Sequence, residues 1–151
     1  MTLIYLDSSA VIKLFLEEPG SGAVEAAVRA PDAHCVTSDL TYAEIHGFLS
    51  RALSLGRITQ VQQQQLVQGF QIWFDSLAHS AMAFARIQRA GKQAVLHNLR
   101  GADAIHLVTA IECLATSLND RRVFACFDEH LTREAKRTGC FDDFITDPSF
   151  R

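Results

Sequence analysis

Apolar residues along this chain follow two rhythms. Short apolar runs at residues 3–6, 34–37, 123–127 and 144–146 are bounded by polar or turn-forming residues and predict strands. Elsewhere the apolar positions recur every three or four residues and predict helices. The first run passes through Asp7-Ser8-Ser9 into a helix over 10–16 that stops at Glu17-Glu18-Pro19-Gly20, and helix resumes over 23–29 until Pro31 breaks it. Ser38 or Asp39 caps a helix striped by Ile45, Phe48, Leu49, Ala52 and Leu53, which Gly56 ends. Thr59 caps a long helix with Leu66, Phe70, Trp73, Phe74 and Leu77 on one side. A further helix over 81–90 closes at Gly91, and these last two predict an αα hairpin. From about Leu99 a stripe at Ala104, Leu107, Val108, Ile111 and Ala115 leads to a polar loop over 117–120. A helix over 129–137 has Gly139 as its C-cap. Strands alternating with helices imply an α/β fold whose mainly parallel sheet is covered on both faces.

Composition narrows the class. With 151 residues, 48% of them hydrophobic, residues 1–151 have the size of a single domain with a complete core. Cys35, Cys113, Cys126 and Cys140 are too widely spaced for a zinc ribbon or a thioredoxin-type pair and read as free thiols. The start of the chain has neither a basic leader nor an apolar run of membrane length, so a cytoplasmic location is expected. The net charge of −3 argues, taken alone, against nucleic acid.

The position of the acids changes that. Asp7 and Asp128 each follow a buried-looking strand, at the end where open α/β sheets carry their ligand sites. Glu44 and Asp103 each lie one residue before the first core position of a helical stripe, near a helix start, and so aim across the same edge. Four carboxylates in one crevice repel one another, and a divalent cation relieves them. Oxygen-only ligands select Mg²⁺ or Mn²⁺ over zinc, and such an ion activates water for attack on a phosphodiester. Ser8 and Ser9 are placed to orient a carboxylate.

Each acid also has a plainer reading. Asp7 and Asp128 suit helix N-caps, Asp103 suits a helix dipole, and Glu44 suits a solvated edge. Asp120 precedes its strand and falls at the opposite end of the sheet, while Asp142, Asp143 and Asp147 read as solvated. His46 and His106 lie roughly opposite the core stripes of their helices and read as surface residues. Trp73 reads as core or dimer interface.

The segments Tyr5-Leu6-Asp7-Ser8-Ser9-Ala10-Val11, Leu40-Thr41-Tyr42-Ala43-Glu44-Ile45, Leu99 to Leu107 with Arg100-Gly101-Ala102-Asp103-Ala104 at its centre, and Phe127-Asp128-Glu129-His130-Leu131 occur in the order and approximate spacing of PIN-domain nucleases. Over essentially its whole length the chain resembles that family, most of all its VapC-type toxins. The resemblance implies a three-layer α/β/α fold and a Mg²⁺- or Mn²⁺-dependent endoribonuclease whose acids map onto Asp7, Glu44, Asp103 and Asp128. It further implies a homodimer and a small antitoxin (VapB-like) whose C-terminal segment covers the acidic pocket. Cys126 stands where the family often has Thr or Ser, and Ser9 where Asn is common.

Setting the four acids aside leaves the rest of the chain slightly basic, and Lys13, Arg100, Arg133, Lys136 and Arg137 are candidate phosphate contacts. A haloacid-dehalogenase-type phosphatase needs a second Asp where Ser9 stands, and a receiver domain needs paired acids that residues 3–6 do not supply. A housekeeping RNA-processing nuclease and a non-catalytic RNA- or protein-binding module remain as alternatives.

Overall fold

The elements of the computed structural model, which describes residues 1–115 and 119–150, are laid out around one sheet. In chain order they are β1 (Thr2–Leu6), α1 (Ser8–Val11), a 3-10 turn (Ile12–Leu14), α2 (Ser21–Val28), β2 (Ala33–Ser38), α3 (Leu40–Ser54) and α4 (Gln60–Ser76). There follow β3 (Ala78–Ser80), α5 (Phe84–His97), α6 (Gly101–Leu114), β4 (Arg121–Ala125), α7 (Glu129–Thr138) and β5 (Asp143–Ile145).

The strand order is β3-β2-β1-β4-β5, and every neighbouring pair is parallel. The chain runs outward from β1 to β3, then returns to the other side of β1 as β4. Order therefore reverses between β1 and β4, which places a switch point at their carboxyl ends.

Alternation along the central strands divides the core into two layers. Ile4 and Leu6 of β1 and Val123 and Ala125 of β4 face a cluster with Val24, Ile45, Leu49, Phe70 and Phe74, from α2 to α4. Tyr5 and Phe124 face the other way, into a cluster with Ala104, Leu107, Leu114, Leu131 and Ala135, from α6 and α7. Both faces of the sheet are thus buried, which is why its strands read as unbroken apolar runs. No described helix is long and apolar enough to cross a membrane.

Local chemistry sets most boundaries. Thr59 accepts from the Gln62 amide while the Gln62 side chain accepts from the Thr59 amide, a reciprocal cap at the start of α4. Gly139 closes α7 in the left-handed region at φ 65°. The first helix begins at Ser8 rather than residue 10 because Asp7 caps it, and it tightens into a 3-10 turn after Val11.

Three expectations are corrected. Gly91 does not end its helix: it is tolerated inside α5, which runs to His97 and is closed by Asn98 in the left-handed region at φ 51°. The expected αα hairpin between α4 and α5 does not form. The unpredicted β3 separates them, and α4 packs on α3 while α5 packs on α6. Finally, β4 ends at Ala125, so Cys126 and Phe127 belong to the turn that carries Asp128. Of the polar loop expected over 117–120, residues 117 and 118 lie outside the described residues.

Candidate active site

Asp7 follows β1 directly, and its amide still donates to the Ala125 carbonyl of β4 at 3.1 Å. Its carboxylate is 4% exposed, with Oδ1 accepting from the Ala10 amide at 2.9 Å and from the Ser9 hydroxyl at 2.6 Å. Ser9 in turn accepts from the Phe127 amide at 2.7 Å, which ties the acid to the turn after β4. Burial pushes the Asp7 carboxyl above its ordinary value, against the opposing pull of the His106 charge and of the hydrogen bonds from Ser9, Cys126 and Ala10.

Across that turn, Asp128 caps α7: its Oδ1 accepts from the Leu131 amide at 2.8 Å. Its other oxygen accepts from Arg100 at 3.2 Å. The same guanidinium donates to Asp103, in the first turn of α6, at 2.7 and 3.3 Å. Arg100 is therefore a cation lying across two carboxylates from different elements, and Asp103, Asp128 and Glu44 all hold its own proton more tightly. Capping and site geometry coexist at Asp7 and Asp128, since a cap uses one carboxylate oxygen and leaves the other available.

Glu44, in the second turn of α3, accepts from the Ser8 hydroxyl and, at 2.7 Å, from Nε2 of His106. Burial alone would raise its pKa, but the His106 hydrogen bond and charge, Ser8 and Arg100 outweigh it and hold Glu44 below the ordinary carboxylate range. His106 is a residue the periodicity misplaced. Expected at the surface, it is 2% exposed, because α6 is enclosed by the sheet, α5 and α7 and has little polar face to offer. Its Nδ1 is 2.8 Å from the Tyr5 hydroxyl. His46, by contrast, packs half-buried against Tyr42 and Phe70. Trp73 lies against Phe15 and Phe70 at the edge of the core.

Beside these acids is a cleft of about 410 Å³. Glu44, Ser8 and Ser9 line it, Phe48 and Phe127 supply apolar wall, and Lys13, Arg51 and Arg100 are its cations. Phe127 is held by a close approach: Gly20 has φ +97°, and a Cβ there would fall 2.4 Å from the Phe127 ring. Lys13 is already paired with Glu18 at 3.0 Å and lies over the Phe127 ring. Arg51, which no sequence signal singled out, reaches the cleft, whereas Arg133 and Arg137 turn to Glu134 and Lys136 donates to the Phe150 carbonyl. Asp120 meets the amino terminus at the far end of the sheet, and Asp142 and Asp143 pair with Arg122 and Arg121. Among the described residues no disulfide forms; Cys126 is buried and Cys35, Cys113 and Cys140 are half-buried.

The donor set is oxygen-only and includes one deeply buried carboxylate, which suits a hard divalent ion. As the side chains stand, no three His, Cys, Asp or Glu among the described residues are gathered closely enough to hold one. Arg100 spans Asp103 and Asp128 instead, so seating an ion requires that guanidinium to release both.

A parallel sheet with acids delivered to its switch point from β1, α3, α6 and the turn after β4 defines a class. The chain belongs to the PIN domain family, whose model matches residues 4–136. It is similar to Ribonuclease VapC45 and Ribonuclease VapC49, from two strains of Mycobacterium tuberculosis. Each is 31% identical over 140 residues that cover 93% of this chain and 94% of the relative. The fold is also that of VapBC2 from Rickettsia felis, solved bound to a DNA fragment from its promoter, with a TM-score of 0.60 at 10% identity over 96% of this chain and 98% of that one.

Proposed function

We propose that this protein is a divalent-metal-dependent endoribonuclease acting as the toxin of a VapBC-type pair, with Asp7, Glu44, Asp103 and Asp128 as its site acids. The observation that carries this reading is the arrangement around Arg100. Residues distant in sequence bring Asp103 and Asp128 onto one guanidinium, and Glu44 lies within its field. A cation is thus already favoured where the family's acids map. The 31% identity to VapC ribonucleases over 93% of the chain supports RNA as substrate and a small antitoxin as partner.

Mg²⁺ or Mn²⁺ held by these four acids would supply a Lewis acid beside the scissile phosphodiester. Asp7 contributes a charge that burial leaves poorly solvated, and Ser9 fixes its orientation. Arg100, once off its carboxylates, is a bidentate donor with the right shape for a phosphate. Arg51 adds another cation to the cleft lining, and Phe127 and Phe48 give a nucleobase apolar surface. Cytoplasmic location, one PIN-like domain over 1–151 and a homodimer complete the proposal.

The test is direct. Purified protein with Mg²⁺ or Mn²⁺ should cut single-stranded or structured RNA, and a chelator should stop it. Failure to cut either RNA with either ion would sink the reading. Expression alone should arrest growth, and co-expression of a small neighbouring protein should restore it. Harmless expression of an active nuclease would instead favour a housekeeping role, and metal-independent RNA binding without cleavage would favour a binding module.

A further inference from the structure

Glu44 is a long side chain on a helix surface, free by itself to sample several rotamers. In this structure it is fixed by groups that belong to other elements. Ser8 and Nε2 of His106 both contact Oε2, and among the described residues Oε1 makes no hydrogen bond.

The proton placement follows from the partners. A carboxylate only accepts, so Nε2 of His106 carries the hydrogen. Its Nδ1 meets the Tyr5 hydroxyl 2.8 Å away, so both ring nitrogens are engaged. Tyr5 is itself locked: it is 0% exposed, and its ring stacks on Phe124 at 5.8 Å with an interplanar angle of 10°. A rigid path therefore runs from the middle of the sheet through an imidazole to the rim of the cleft.

We infer that Tyr5 and His106 are positioning residues for Glu44: Tyr5 holds the buried His106 ring at Nδ1, and the ring through Nε2 holds Oε2 of Glu44 and leaves Oε1 to serve the site. The inference rests on the reading of Glu44 as a site acid. It differs from a buried histidine that merely satisfies its own hydrogen bonds, because its effect must be transmitted through Glu44.

The experiment compares the full chain with its His106→Leu, His106→Gln, Tyr5→Phe, Glu44→Gln and Glu44→Gln/His106→Leu variants. Mn²⁺ dissociation constants come from titration calorimetry and kcat from a labelled RNA oligonucleotide. Removing an orienting partner of a metal ligand typically weakens affinity or activity about 10–100-fold, and His106→Leu should do so in both readouts. His106→Gln, whose amide N–H extends toward the place of Nε2, should recover most of that loss. Tyr5→Phe should show a smaller loss of the same kind. In the Glu44→Gln background, His106→Leu should add less than about twofold, the signature of two residues acting through one group.

Wild-type Mn²⁺ affinity and kcat in His106→Leu would overturn the inference. So would an undiminished His106→Leu loss on top of Glu44→Gln. If His106→Leu does not fold, the remaining variants decide: wild-type values in Tyr5→Phe, or no better function in His106→Gln than in Glu44→Gln, would overturn it. A wild-type protein that neither binds Mn²⁺ nor cuts RNA overturns the functional reading itself, and this inference with it, whatever the variants do.

Discussion

The two ends of the sheet carry acids in similar number and put them to different use. At the amino ends of the strands Asp32, Asp120, Asp142 and Asp143 each have a nearby donor: Thr2, the amino terminus, Arg122 and Arg121 respectively. Side-chain and backbone donation from half-buried Arg122 takes the Asp142 carboxyl down to about 2. At the carboxyl ends Asp103 and Asp128 share Arg100, Glu44 accepts from Ser8 and His106, and Asp7 is buried with its carboxyl pushed up. One residue type on one sheet thus shifts in opposite directions. The difference is solvent and sharing: a surface acid with its own cation is at rest, whereas a buried acid among other acids favours a further positive charge.

The largest effect that would break this contrast is on activity. Asp7→Asn or Asp103→Asn should lower the RNA-cleavage kcat by roughly 10³-fold or more, the rate equivalent of several kcal/mol of lost charge stabilisation, with the circular-dichroism spectrum unchanged. Retained activity in either variant would remove that residue from the site.

Next in size is a gain in stability. Burial raises the folded-state pKa of Asp7, so the native form holds its proton more tightly than the unfolded chain and ionised Asp7 costs stability at neutral pH. In chelator-treated protein Asp7→Asn should melt about 2–4 °C higher at pH 7, the shift that about 1 kcal/mol makes at this size. That advantage should fade as the pH drops through the raised value and be gone below 3.8, where Asp7 is protonated in both states. A lower melting temperature at neutral pH would contradict the assignment of strain to this end.

Arg100→Gln should then tighten Mn²⁺ binding severalfold, since an exposed pair worth about 1 kcal/mol no longer competes for Asp103 and Asp128. Unchanged or weaker Mn²⁺ affinity would mean that Arg100 does not stand in the ion's way.

The smallest effect belongs to the opposite end. Asp142→Asn should leave cleavage untouched and lower the melting temperature by about 1–2 °C. The depressed value at Asp142 gives stability that is complete above 3.8 and lost as the pH falls through about 2, so the difference from wild type should close over that interval. A cleavage defect in Asp142→Asn would erase the distinction between the two ends.

Several elements are legible in the residues alone. Buried strands ended by Asp7 or the Asp128 turn, the Thr59 cap and the Gly139 stop are local signals, written in residues a few positions apart. By contrast, β3 has no apolar alternation of its own. Its residues 78–80 are exposed or half-buried and become a strand by pairing with β2. Gly91 signals a helix end but lies in open space inside α5, where its absent side chain disturbs nothing. A helical wheel puts His106 at the surface because it shows one stripe, and α6 is enclosed on more than one side.

By itself, then, the sequence determined the α/β alternation, the buried character of the central strands and the four acids that follow strands or begin helices. Those are consequences of local periodicity and spacing, which the chain carries residue by residue. Tertiary structure decided the rest: that Arg100 spans Asp103 and Asp128, that Tyr5 reaches His106 across 101 positions, and that His106 holds Glu44 across 62. Such contacts depend on which strand lies beside which and on which helix face is turned inward. Packing settles both, and no local window of the sequence contains them.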